Sequence, residues 1–279
     1  MPAGHELVYR KLSDVPFARS TASGEPFTSA EVEQITAVLR ERVHTVHPSW
    51  GVSAVAEPDG FLHVLFPDAP SGEAALALRP KLEVLGHLSF EGVADDSTPG
   101  WDERAERKRL IAWQESQSAP TLDVFNALAP DRGGPPPFVR WREVASAADL
   151  SAEERAAKCL PCVRMEVLHA DRDWDFGSQD LGEVFESVDE SGWPAIGFAM
   201  KDERRKAFGD FTEAYTGMQI AIVLDGKVVS APRVNERLSG SSIIQGRFEQ
   251  SEVDALIAAL KSGPLPVQLE FVASAKLTR

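Results

Sequence analysis

The chain has 279 residues, 43% of them apolar, and a formal charge of −14; it is long enough for two domains with cores of their own. The acidic balance excludes a nucleic-acid backbone or an anionic membrane surface as the natural partner, since both demand a basic face. No apolar run reaches the roughly 20 residues of a spanning helix, and the opening MPAGHELVYRKLSDV has no apolar signal core. The sequence therefore predicts no membrane insertion, and a chain that is either cytoplasmic or trimmed of an export address.

Glu6–Lys11 reads as a first strand. Thr28 and Ser29 then precede AEVEQITAVLRERVHTV, whose Val32, Ile35, Val38, Leu39 and Val43 recur at helical spacing behind an N-cap. Val52–Ala56 and Phe61–Phe66 flank Glu57-Pro58-Asp59-Gly60, a hairpin signal. A helix is expected over Ser71–Val84 and a closing strand over His87–Val93. The order β-α-β-β-α-β is that of a ferredoxin-like subdomain over residues 1–93. Residues 94–137 read as a connector: a charged helix over Asp102–Glu115, then the spacer DRGGPPP.

A second α+β unit is expected over 138–279. Its strands are Phe138–Val144, Val163–Leu168, Ala195–Met200, Gln219–Leu224, Lys227–Ser230 and Leu265–Val272. Its helices are Ser151–Lys158, Leu181–Val188, Lys201–Tyr215 and Ser251–Lys261, the last stopped by Gly263-Pro264. Asp225-Gly226 joins two of the strands as a hairpin turn, and Pro232 ends the second.

No hydrolase, zincin or phosphate-loop motif occurs, so neither an enzyme nor a cofactor is expected. His44 and His47 lie three apart without further ligands nearby. Asp171, Asp173 and Asp175 begin like a calcium loop, but Phe176 stands where that loop needs glycine and Gly182 where it needs glutamate. An acidic turn capping the next helix is the other reading. Cys159 and Cys162 form a lone C-x-x-C. A structural or incidental pair, a disulfide and a redox dithiol are its readings; a helix before the motif, not after it, is the wrong end for thiol activation.

The C-terminal half carries a resemblance. Pro194–Phe198, Phe208 with Phe211-Thr212, Gly217, AIVLDGKVVSAP at 221–232, Asn235, Ile244–Phe248 and LKSGPLP at 260–266 together resemble the head of the first extracytoplasmic domain of the SecD family. EQITAVLRERVHTV with EPDGFLHVLFP is similar to that family's base. The resemblance implies a non-enzymatic module of protein export on the extracytoplasmic side. Its implied partners are unfolded or translocating polypeptide and Sec translocon components. The membrane helices that flank this domain in the family have no counterpart in the sequence. The implied contact surface is the loop Ser239, Gly240, Ser241, Ser242, Ile243, Ile244 and Gln245, where one isoleucine must face outward because strand side chains alternate. A free-standing relative recruited to another protein partner is the second reading, and a thiol redox protein using Cys159 and Cys162 is the reading of a different class.

Overall fold

A computed structural model describes residues 4–11, 26–118, 120–145, 159–245 and 248–277. In chain order these form β1 (His5–Lys11), α1 (Ser29–Val46), β2 (Ser53–Ala56), β3 (Leu62–Phe66), α2 (Gly72–Leu76), α3 (Arg79–Leu82), β4 (Leu88–Val93), α4 (Glu103–Ser116), α5 (Leu122–Asn126), β5 (Val139–Glu143) and β6 (Cys159–Val163). They continue with α6 (Met165–Leu168), β7 (Leu181–Val188), β8 (Pro194–Met200), α7 (Asp202–Ala214), β9 (Ile220–Leu224), β10 (Lys227–Ser230), β11 (Ser242–Ile244), α8 (Gln250–Ser262) and β12 (Leu269–Lys276). The class is mixed α and β, as expected, and the strands named above pair antiparallel. Among the described residues no helix is long and apolar enough to cross a membrane.

The chain divides into two compact units, residues 1–87 with 251–279 and residues 88–250. These are not the expected 1–93, 94–137 and 138–279. Chain order alone places the strand at 88–93 at the close of the first sheet. It lies instead in the second unit, between β9 and β6. The first sheet, of order β12-β1-β3-β2, is closed from the far end of the chain by β12, which pairs antiparallel with β1 from His5↔Lys276 to Lys11↔Leu269.

In unit one, α1 starts with a capping box. Glu31 N–H donates to the Thr28 hydroxyl (3.2 Å) and Thr28 N–H donates to the Glu31 carboxylate (2.8 Å), satisfying two donors that the first turn leaves open. Ile35, Leu39 and Val43 pack on Leu7, Tyr9, Leu62, Val64 and Phe66 of the sheet, with Leu265 and Leu269 from the C-terminal return. The helix expected over 71–84 is two short ones, α2 and α3, because Pro80 stands at the start of the second and has no N–H to continue the first.

Unit two holds a five-stranded sheet, β10-β9-β4-β6-β5, and a three-stranded one, β11-β8-β7. The larger sheet curls until its edges meet: Val144 bridges Val228 in parallel, and Ala145 N–H donates to the Val228 carbonyl (2.9 Å). Val93, Leu160, Cys162, Ala221, Val223, Val228 and Ala231 share one apolar cluster. The expected strand at 163–168 is displaced to 159–163, with Pro161 inside it, and a helical turn follows. Leu181–Val188, expected as a helix, is a strand paired along β8 with an irregularity between Leu181 and Glu183. The expected helix at 151–158 lies outside the described residues.

The connector is not a solvated spacer. Trp101, Leu110 and Phe125 are buried. Trp113 meets Phe125 (5.1 Å between ring centroids) and Trp101 meets Trp141 (6.0 Å). Asn126 brackets the backbone of Trp141, accepting from its N–H and donating to its carbonyl, both at 2.8 Å. A side-chain amide thus stands in for a neighbouring strand at the edge of the sheet.

Candidate functional site

Unit two contains a cleft of about 700 Å³. Its floor is apolar: Phe90 of β4, Phe198 of β8, Phe208 of α7, and Ile220 and Ile222 of β9. These come from both sheets and the helix because alternate residues of each strand point the same way. Phe208 meets Phe90 edge-to-face at 5.2 Å between ring centroids, and Phe198 lies 5.3 Å from Phe90. The rim is polar, with Asp189, Glu190, Arg233, Asn235, Glu236 and Gln245.

One wall is the segment Pro232–Leu238. The bend at Ala231-Pro232 lets it continue antiparallel to the start of β9. Ile220 N–H donates to Pro232 O (3.0 Å), Val234 N–H to Met218 O (2.8 Å) and Gly217 N–H to Val234 O (2.8 Å). The Arg233 guanidinium closes on the Gly217 carbonyl. On the helix side Leu238 N–H donates to the Thr212 hydroxyl (2.9 Å), and Arg237 donates to Asp210 (2.7 Å). Pro232, read from sequence as a strand stop, thus turns the wall and lines the cleft. Asn235, quoted only as part of a motif, stands on the rim.

The opposite wall includes β11, an edge strand that among the described residues pairs with β8 alone. Of the seven loop residues singled out from sequence, Ser242, Ile243 and Gln245 line the cleft; Ser239, Gly240, Ser241 and Ile244 do not. The alternation resolves the two isoleucines. Ile244 sits opposite Ile196 and is 2% exposed; Ile243 sits opposite Gly197 and is partly exposed. Gly197 carries the ring of Phe185 so closely that a Cβ there would lie 2.2 Å from it. Phe185, Gly197 and Ile243 therefore form one row across the three strands, with Phe185 itself 39% exposed.

Asp225 and Gly226 form the expected turn, with φ of 50° and 82°. Positive φ at both positions is what a two-residue turn matched to strand twist requires. The turn lies outside this cleft and carries the hairpin that supplies Ile220 and Ile222.

Cys159 and Cys162 are free and buried thiols. They sit three apart on β6, so their side chains leave opposite faces of the strand. Burial pushes both thiols above the usual thiol range, Cys162 well above it. A nucleophilic dithiol needs the reverse shift and access, so the geometry does not support redox chemistry. Cys162 packs instead near Glu91, whose carboxylate accepts from Arg142 at 2.6 and 3.2 Å. The sequence signals this mostly buried pair only through the arginines of the FVRWREV strand.

The acidic turn is answered by a cation on the next helix. Arg204 of α7 pairs with Asp173 and with Asp180 (2.8 Å), and donates to the Asp175 carbonyl (2.9 Å). His47 stacks on Trp50 at 4.1 Å between ring centroids. These contacts are structural roles for residues weighed as metal ligands.

Residues 166–267 match the family model of the SecDF P1 head subdomain, and over that stretch the chain is SecD-like. The protein translocase subunit SecD of Aquifex aeolicus (strain VF5) is 43% identical over 94 residues, 34% of this chain and 19% of that protein. SecD of Rhodobacter capsulatus is 40% identical over 94 residues, 33% of this chain and 17% of that protein. The chain thus matches about a fifth of the length of these curated relatives. A solved structure of the membrane component SecDF that enhances protein export aligns with 96% of this chain and 98% of its own, at a TM-score of 0.54 and 19% identity. A crystal structure of SecDF in its super-membrane-facing form aligns with 97% of this chain and 30% of its own, at 0.56 and 19%. These two show that the fold is shared along nearly the whole chain.

Proposed function

We propose that unit two binds an extended, unfolded polypeptide segment in the cleft, without catalysis, as part of protein export on the extracytoplasmic side and alongside Sec translocon components. The observation that supports it is an apolar floor lying beside an edge strand. Such a strand accepts a peptide through backbone hydrogen bonds that ignore sequence, and the floor takes alternate apolar side chains. A ligand set of varied sequences needs that combination. The short β11, through Ser242 and Ile243, and Gln245 after it form the adaptable wall, and the pinned Pro232–Leu238 wall the fixed one.

Binding of this kind is weak, about 1 μM or poorer, because ordering a disordered segment costs much of the contact energy. It depends little on salt, since the floor is uncharged and exposed charges are screened within about 10 Å. The test is a titration of a labelled, permanently unfolded apolar polypeptide against the full chain at two salt concentrations. Ile243→Ser is expected to weaken binding without loss of stability. Ile244→Ser is expected to cost stability as well, and the double variant to abolish binding. Absence of binding by wild type, or binding at low salt alone, would overturn the reading in favour of recruitment to a different folded partner.

A further inference from the structure

Among the described residues, unit one carries a sheet edge to which no further strand is paired. β2 ends the order β12-β1-β3-β2 and reads Ser-Ala-Val-Ala, with Val55 44% exposed. Natural edge strands are commonly guarded by lysines, prolines, bulges or a covering segment, because open N–H and C=O groups template pairing with another chain. β2 has no charged residue and no proline, and its pairing with β3 runs unbroken from Ser53↔Leu65 to Ala56↔Leu62. Beside it a groove of about 740 Å³ runs between β2 and α1, walled largely by small or apolar residues: Phe27, Val32, Ala37, Ala54 and Ala56.

Two opposite charges line the helix side of this groove, Glu33 and Arg40. They are seven residues apart, about 10 Å along the helix axis, and so share one face. Both are exposed, and neither makes an ion pair with another described residue. One end of the wall is therefore negative and the other positive, with Thr36 and Ala37 midway.

We propose that β2 and α1 form a two-fold interface between two copies of this chain. A two-fold axis normal to the sheet, just outside β2 and level with its middle, lays β2 antiparallel to the β2 of a second copy. The four-stranded sheet then becomes eight-stranded, and α1 runs antiparallel to its counterpart. The same operation exchanges the two ends of the groove, so Glu33 faces the second Arg40 and Arg40 the second Glu33. Such self-complementarity is the requirement of an isologous interface. An extended peptide uses the backbone edge equally well, but it leaves both charges unanswered; the charge pattern selects a second copy.

The test is sedimentation equilibrium of the full chain over about a hundredfold range of concentration, with wild type, Glu33→Arg, Arg40→Glu and the double swap. Wild type is expected to show a reversible monomer–dimer equilibrium. Each single swap sets like charges opposite one another and is expected to weaken association about tenfold or more; the double swap restores it to within about threefold. Val55→Lys, a guard residue on the edge, is expected to abolish the dimer. All three substituted positions are exposed, and unchanged circular dichroism checks that each variant is folded. A wild type that stays monomeric throughout overturns the proposal. So do single swaps without effect, a double swap no better than the singles, or a Val55→Lys variant that still dimerises.

Discussion

The two units are assembled in opposite ways. Unit one is made from the two ends of the chain: β1 and β12 lie some 260 residues apart and share a register of seven paired positions. Unit two, residues 88–250, is one contiguous stretch whose sheets are complete within it. The first depends on a contact with a high loop-closure cost, the second on shorter closures. The difference teaches that neighbours in the chain are a poor guide to neighbours in a sheet when a whole unit is inserted between two strands.

Deletion is the strongest way to break this comparison. Ending the chain at residue 250 removes β12 and the core residues Leu265 and Leu269. The rest of unit one is expected to lose cooperative unfolding altogether, while a fragment of 88–250 keeps a cooperative melt by circular dichroism. A fragment of 88–250 that melts without cooperativity would refute the division.

The next largest effect is expected at Arg42, which is fully buried and ties the two halves of unit one together. It donates to the carbonyls of Lys81, Leu82, Val84 and Leu85 on one side, and to Ser262 Oγ and the Gly263 carbonyl on the other. Arg42→Met leaves those acceptors buried and unpaired, at a cost of about 3 kcal/mol or more. Arg42→Lys recovers little, because an ammonium cannot reproduce the planar fork. Chemical denaturation checks both.

A smaller effect falls on unit two. Gly226→Val forces a β-branched residue to a φ of 82° and is expected to cost about 1 kcal/mol or more, read in the same denaturation experiment. The smallest is a pH effect on unit one. The Lys11 ammonium (2.6 Å away) and the Thr28 N–H hold the Glu31 carboxyl below the usual carboxylate range. A carboxylate with a lowered folded pKa stabilises above its unfolded value, and that stability is lost as pH falls through the folded one. Glu31→Gln should flatten this acid limb by less than about 1 kcal/mol, since the pair is partly solvent-screened.

Local signals were legible in the sequence. Thr28 with Glu31 marked the start of α1, Asp225-Gly226 marked a turn whose positive φ values favour those residues, and Ser242, Ile243 and Gln245 of the singled-out loop stand on one wall of the cleft. The misreadings have physical causes. Leu181–Val188 breaks strict alternation because the register slips between Leu181 and Glu183, and its glutamates favour helix. Pro161 hid β6, since proline seldom sits inside a strand. Residues 94–137 looked polar, yet their few aromatics are spaced to bury Trp101 and Phe125. Arg42 did leave a signal, an arginine seven residues beyond Ile35 on the apolar stripe. The cleft floor was beyond reach, because Phe90 and Ile222 meet only through the pairing of β4 with β9.

The central claim is that the cleft of unit two takes extended polypeptide. A residue-resolved NMR titration of the full chain with a permanently unfolded apolar polypeptide tests it most directly. The account predicts saturable shifts centred on 196–198, 220–222 and 232–245, nearly unchanged when salt is raised. Shifts centred on unit one, shifts that vanish with salt, or none at saturating polypeptide would contradict it.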